Sequence, residues 1–162
     1  MSLQNLETLN AATLVSEADT VPIVSRLLSI AKLTRAMLGL KLAEIDICAG
    51  QDQLLAAFHG SNRVSISTLA HAVAVRPSTV SKMVDRLIEK GLMLRLRDPD
   101  DARTTLVELT PLGLHQQRLV ADIWRAVELD LTKSLQVAEI NNLRGELEKV
   151  DGLLIAKMSR LR

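Results

Sequence analysis

Between Pro77 and Gly91 small hydroxyls and charged side chains recur at helical spacing: Ser78, Thr79, Ser81, Lys82, Asp85 and Arg86. Val80, Met83, Val84, Leu87 and Ile88 form an apolar stripe on the same segment, so Ser78, Lys82, Asp85 and Arg86 share the opposite face, with Thr79 and Ser81 on its flanks. Hydroxyls that donate or accept, set beside ammonium and guanidinium groups, can bond base edges and phosphates together, and the mixture suits the major groove of a duplex. Pro77 supplies the fixed φ favoured at a first helical position, and Gly91 ends the segment.

Other chemistries lack their residues. His59, His71 and His115 have no Cys or carboxylate at metal-ligand spacing, so no zinc site or other cofactor is expected. There is no Gly-rich phosphate loop, no Gly-x-Ser-x-Gly and no Cys–His pairing, which argues against an enzyme. Asp98, Asp100 and Asp101 read as turn formers. Phe58 and Trp124 are the two aromatics, too few for the stacking platforms of a single-strand reader. A lone Cys48 implies no disulfide framework and fits a reducing cytoplasm.

The elements that position the hydroxyl and cation face lie on either side of it. Ser67 to Val73 opens with a capping hydroxyl and carries Leu69, Ala70 and Val73 on one face, predicting a short helix joined by a tight turn through Ala74 to Arg76. After Gly91 the period changes to two: Arg95 and Arg97 fall on one face of a strand, and Leu92, Leu94 and Leu96 on the other. Asp98 to Ala102 is turn chemistry, and Arg103 to Leu109 returns as the partner strand, with Arg63 to Ile66 as a short third strand. Thr110-Pro111 starts the next helix at once.

Together these pieces form a winged helix-turn-helix. The pattern Asp101-x-Arg103-xxxxx-Leu109-Thr110-xx-Gly113, with Pro77-Ser78-Thr79-Val80-Ser81-Lys82-Met83-Val84-Asp85-Arg86-Leu87 and Glu89-Lys90-Gly91-Leu92 before it, resembles the multiple-antibiotic-resistance regulator (MarR) family of bacterial transcription factors. The motifs cover about a quarter of the chain, and helix placement extends the similarity over roughly residues 20 to 160. Arg76 stands where that family usually has a capping Ser or Asn, and Ala102 where a second wing arginine is common. The resemblance implies a sequence-specific regulator of double-stranded DNA, most often a repressor. It implies a homodimer on a pseudo-palindromic operator, and a small-molecule effector, often an aromatic acid held between the dimer helices and the winged domain.

The expected DNA-binding set is Arg76, Ser78, Thr79, Ser81, Lys82, Arg86, Arg95, Asp101 and Arg103. Ser78, Thr79, Ser81 and Lys82 are placed at base edges and nearby phosphates, and Arg86 and Arg95 on phosphate. By resemblance, Arg103 enters the minor groove, aimed by Asp101. Two alternatives stand beside this reading: a winged module whose recognition face binds an acidic protein, and a thiol-based redox sensor through Cys48. Family members that sense peroxide use a cysteine in the first helix near tyrosines, whereas Cys48 falls after that helix and the chain has no Tyr.

Charge and periodicity fix the rest of the layout. The net charge of +1 divides into −2 for residues 1–60, +5 for 61–97 and −2 for 98–162, so the positive charge lies where the helix-turn-helix does. Forty-eight per cent hydrophobic residues in 162 suffice for one core, and strand patterns are confined to the wing, so the fold class is mainly α with a small sheet. Residues 1–20 read as a loosely held arm. Pro22 to about Leu42 repeats Ile23, Leu27, Ile30, Ala31, Thr34 and Leu38 as a long helix, and Gln53 to Phe58 forms a short one. Leu112 to Leu131 is amphipathic, and Ile140, Leu143, Leu147, Val150 and Leu154 make a heptad-like seam that predicts helix packing against a second subunit, with an intramolecular bundle as the alternative. The layout is one continuous fold: residues 1–45 and 111–162 as the helical dimerisation region around a winged region at 46–110. No apolar run is long enough to span a membrane, and the N-terminus lacks a leader pattern, so a soluble cytoplasmic protein is expected.

Overall fold

The computed structural model describes residues 22–58, 63–99, 101 and 104–160. The expected N-terminal arm and Arg103 lie outside them. The order is α1 (Ile23–Ala43), α2 (Gln51–Ala56), β1 (Val64–Ser65), α3 (Ile66–Ala72), α4 (Pro77–Glu89), β2 (Met93–Arg97), β3 (Thr105–Leu109), α5 (Pro111–Thr132) and α6 (Val137–Ser159). The mainly helical fold with a small antiparallel sheet agrees with the periodicity. The sheet runs β1-β3-β2, with Met93 opposite Leu109, Arg95 opposite Val107, and Val64 on the far side of Val107.

One core joins the middle of the chain. Leu42 and Ile47 from the end of α1 and the following turn meet Leu54, Leu55 and Phe58, then Leu69 and Ala70 of α3 and Val80, Val84 and Leu87 of α4. Met93, Val107 and Leu109 close it from the sheet, and Val120 from α5. Two glutamines of α5 fasten this layer. Gln117 Nε2 donates to the carbonyls of Leu55 and Phe58, at 2.7 Å each, and Gln116 Nε2 donates to Ile45 at 2.6 Å. These bonds serve carbonyls just past α1 and at the end of α2, where that of Leu55 also accepts from Phe58 N at 3.3 Å.

Tight junctions set the angles between elements. At the end of α4, Gly91 adopts φ 70°, its N–H bonds Ile88 O, and the Leu92 N–H bonds Leu87 O, a Schellman closure that turns the chain straight into β2. The α3 to α4 turn uses the same closure with Ala74 at φ 53°. At the start of α5, Thr110 Oγ1 accepts from Gly113 N at 3.0 Å and donates to Gly91 O, while Thr110 N bonds Leu92 O. A Cβ on Gly113 would lie 1.9 Å from Leu92 O, so this approach excludes any side chain there.

The outer helices contrast with the core. Leu42 is the one buried residue of α1, and α6 has none. Ile23, Val24, Leu28 and Leu33 on α1, and Leu143, Leu147, Leu153, Leu154 and Ile155 on α6, are exposed. Within α6 a capping box holds the first turn, with Gln136 N donating to Glu139 Oε2 at 2.7 Å.

Two details differ from the sequence expectation. The cap of α3 is Ser65, whose Oγ accepts from Thr68 N at 3.0 Å, rather than Ser67. Ser65 also ends β1, so pairing with β3 fixes its extended backbone and the helix begins two residues sooner. The short helix α2 likewise starts at Gln51, two residues before the expected Gln53, because Gln51 Oε1 and Asp52 Oδ1 accept from Cys48 N and Gly50 N across its first turn.

Candidate nucleic-acid interface

α4 presents a polar face from a rigid base. Val80, Val84 and Leu87 are fully buried, while Ser78, Thr79, Lys82 and Arg86 are exposed. Pro77 opens the helix, and Arg76 at the cap makes no side-chain cap bond. Pro77 has no N–H, and the Thr79 and Val80 N–H groups bond Arg76 O, so the first turn leaves the Ser78 N–H, at the positive end of the helix dipole, without a backbone partner.

Alternation in β2 is as the sequence reads, but the arginine face is the one turned to the core. Met93 is buried on that face and Arg95 pairs across from the buried Val107, whereas Leu94, opposite Glu108, is exposed. Side chains directly opposite each other share a face, so Arg95 leaves the sheet toward α4. Its Nη2 lies 2.8 Å from Asp85 Oδ1 and 3.3 Å from Ser81 Oγ. Arg95 thus joins the wing to the recognition helix, a link the sequence did not identify. Asp85 was legible as part of the polar face but not as the partner of Arg95.

At the hairpin, Asp101 Oδ2 accepts from Thr104 Oγ1 at 2.9 Å, and Asp101 O from Thr104 N. The expected pairing of Asp101 with Arg103 falls on a residue outside the described set. The structure brings Ser81 and Arg95 together and keeps Ser78, Thr79, Lys82 and Arg86 on the same helix; Arg76 precedes it. Lys90 at the other end of α4 pairs with Asp46 Oδ2 at 2.9 Å and donates to Asp46 O, tying the helix to the turn after α1.

Cys48 is exposed in the same turn. Among the described residues no group of His, Cys, Asp and Glu could hold a metal ion, and no helix is long and apolar enough to cross a membrane. A cleft of about 490 Å³ opens between α2 and α5, lined by Ala56, Phe58, Gln117, Val120 and Trp124 among others.

Comparison with known proteins places this arrangement. The MarR family model matches residues 51–105, from the start of α2 to the start of β3. The multiple antibiotic resistance protein MarR of Salmonella typhimurium is 32% identical over 114 residues, spanning 67% of this chain and 76% of that protein. An HTH-type transcriptional repressor, IacR of Pseudomonas putida, is 31% identical over 110 residues, covering 67% and 65%. Among solved structures, a mutant MarR from E. coli in complex with operator DNA superposes with a TM-score of 0.72 at 27% identity, over 80% of this chain and 94% of that one. The shared winged helix and this level of identity show that the chain belongs to the MarR family.

Proposed function

We propose that the protein is a transcription regulator of repressor type that binds a pseudo-palindromic duplex as a homodimer. The observation that carries this reading is α4: an uncapped, hydroxyl- and cation-bearing face held rigid by three fully buried apolar residues. The likeness to an operator-bound MarR supports it. Ser78, Thr79, Ser81 and Lys82 then meet base edges and nearby phosphates, Arg76 and Arg86 bind phosphate, and Arg103 enters the minor groove with the help of Asp101.

Pairing of two chains is supported by α1 and α6. A helix with no buried side chain gains nothing from its own protomer to offset its ordering, and an apolar row at Leu143, Leu147 and Leu154 calls for a partner. Two-fold pairing would set the recognition helices about 34 Å apart, one duplex turn. The cleft between α2 and α5 has a size and apolar lining suited to a small aromatic effector, next to the helices that would form the dimer.

The test is salt-titrated binding to a duplex carrying the protein's own promoter, with a scrambled duplex as control, alongside sedimentation at micromolar concentration. Preference for the promoter and a dimeric mass are expected. No duplex binding at any salt would favour a protein-interaction module, and a folded monomer would overturn the dimer.

A further inference from the structure

We propose that Asp46 and Lys90 are positioning residues that set the half-site spacing the protein accepts, by locking the end of the recognition helix α4 to the end of α1. The proposal rests on the reading of a homodimer on a duplex and adds which side chains fix its reach. The two helices close alike. As Gly91 ends α4, so the Asp46 N–H bonds Ala43 O and the Ile47 N–H bonds Leu42 O, which puts Asp46 in the left-handed place at the end of α1, at φ 56°. Glycine fits such a place without strain, and aspartate supplies what glycine lacks, a carboxylate. Lys90, the cap residue of α4, uses it: Lys90 Nζ lies 2.9 Å from Asp46 Oδ2 and also donates to Asp46 O. The ammonium thus stands at the negative end of α1 while its backbone ends α4.

The turn that carries Asp46 is fastened from the other side as well. Gln116 Nε2 of α5 donates to Ile45 O at 2.6 Å, one residue before Asp46. Further along the turn Gly50 meets α4, since a Cβ there would lie 2.6 Å from Met83 Cε. In the proposed dimer α1 and α5 belong to the region that pairs two chains, and α4 enters the groove, so this turn is the link between the two. Burial of Val80, Val84 and Leu87 holds α4 down on the core, but apolar burial is non-directional. A directed bond at the far end of the helix limits how far α4 can pivot on that base.

The geometry of a duplex sets the size of pivot that matters. One added base pair lengthens the span between half-sites by about 3.4 Å and turns it by about 35°, so each protomer of a two-fold dimer has to supply about 1.7 Å and about 17°. A helix of 13 residues is about 20 Å long, and turning it by about 17° about its middle moves its end by about 3 Å. That displacement parts Lys90 from Asp46. With the link intact, a changed spacer is resisted by the protein as well as by the duplex.

The experiment measures Kd of the full-length protein for the promoter duplex it binds best and for the same duplex with one base pair added or removed at its centre, and takes the ratio within each protein. Either change should weaken native binding about tenfold, comparable to one mismatched base pair. Lys90→Met, which loses both bonds, should lower that ratio about threefold, the effect of about one hydrogen bond. Asp46→Gly keeps the carbonyl and should fall between, and Asp46→Asn, which keeps a side-chain acceptor, should stay near the native ratio. Asp46→Gly should also hold or raise Tm, because glycine adopts φ 56° freely. A purely structural role cannot give a firmer fold and a looser spacing together. If Lys90→Met does not fold, Asp46→Gly decides alone.

Three results would overturn the proposal. One is a native ratio retained by both Lys90→Met and Asp46→Gly. A second is a uniform loss for Lys90→Met with the salt slope reduced by about one per protomer, which would put Lys90 on phosphate. The third is a native dimer indifferent to spacer length. Native protein that binds no duplex, or binds an isolated half-site as tightly as the whole, fails the underlying reading instead, a result distinct from all three.

Discussion

Gly113→Ala isolates the junction that fixes the wing against α5. The added Cβ would stand 1.9 Å from Leu92 O, 3.0 Å from Leu92 C and 3.3 Å from Leu109 Cδ2. The first contact is with backbone, which cannot rotate away, so α5 and the end of α4 must separate by more than an ångström. Overpacking of this kind costs about 1–3 kcal/mol. The same carbonyl accepts from Thr110 N at 3.1 Å, and Thr110 Oγ1 bonds Gly113 N at 3.0 Å and Gly91 O at 2.7 Å. Stretching these adds about 0.5–1.5 kcal/mol for each bond lost. A total near 3 kcal/mol corresponds to a fall in Tm of about 6–12 °C for a chain of this size. The assay is thermal unfolding by circular dichroism at one fixed protein concentration. Gly152→Ala is the control: nothing lies within 4 Å of its Cβ, and it sits off the Ile140 to Leu154 seam, so Tm should hold or rise. A Gly113→Ala protein that melts within about 2 °C of the parent would refute the reasoning, because a loss of about 1 kcal/mol or less would mean the junction relaxes freely.

Four further outcomes are expected. Lys82→Ala should lose about 1–3 kcal/mol of binding in a way that depends on operator sequence, whereas Arg103→Ala should weaken all operators, most with A·T-rich flanks; titration against matched and flank-altered duplexes separates them, and full affinity for Arg103→Ala would detach the wing from DNA. Gln117→Leu should destabilise by about 1–3 kcal/mol, read from urea unfolding, because it removes the donor to the Leu55 and Phe58 carbonyls. Ala74→Gly should stabilise by about 1 kcal/mol in the same assay, since φ 53° strains any residue with a Cβ; a loss of stability would show that the turn is not strained. Cys48→Ser should bind DNA as the parent does with and without peroxide, and peroxide-dependent release that vanishes in the mutant would establish the thiol as a sensor.

Much of the fold was legible because its signals are local. The Val80, Val84 and Leu87 stripe, Pro77, the αL glycine Gly91 and the Thr110-Pro111 start each carry their own reason, and the structure has each in the expected place. The cap of α3 was less legible, since Ser65, Ser67 and Thr68 form one hydroxyl cluster and only pairing with β3 selects Ser65. Period-two alternation separated Arg95 from Leu94 without saying which side meets α4; that choice depends on Met93 and Val107 entering the core. Gln116 and Gln117 gave no signal, because their partners are carbonyls about 60 to 70 residues away in sequence. The polar face of α4 was read directly from helical spacing, but the contact from Arg95 to Ser81 on that face required the wing.

The strand order of the small sheet bears on what happens when molecules crowd. β3 lies in the middle, so its backbone groups face partners on both sides, and the two rims are β1 and β2. A free rim is a template for a foreign strand. Here β1 is two residues long, too short to seed pairing, and β2 carries Arg95 and Arg97 along its length. Arg95 is paired with Asp85, so two wings brought side by side on neighbouring sites would set one exposed Arg97 against the other. Such neighbours stay separate molecules, free to leave one at a time, rather than zipping into a continuous ribbon.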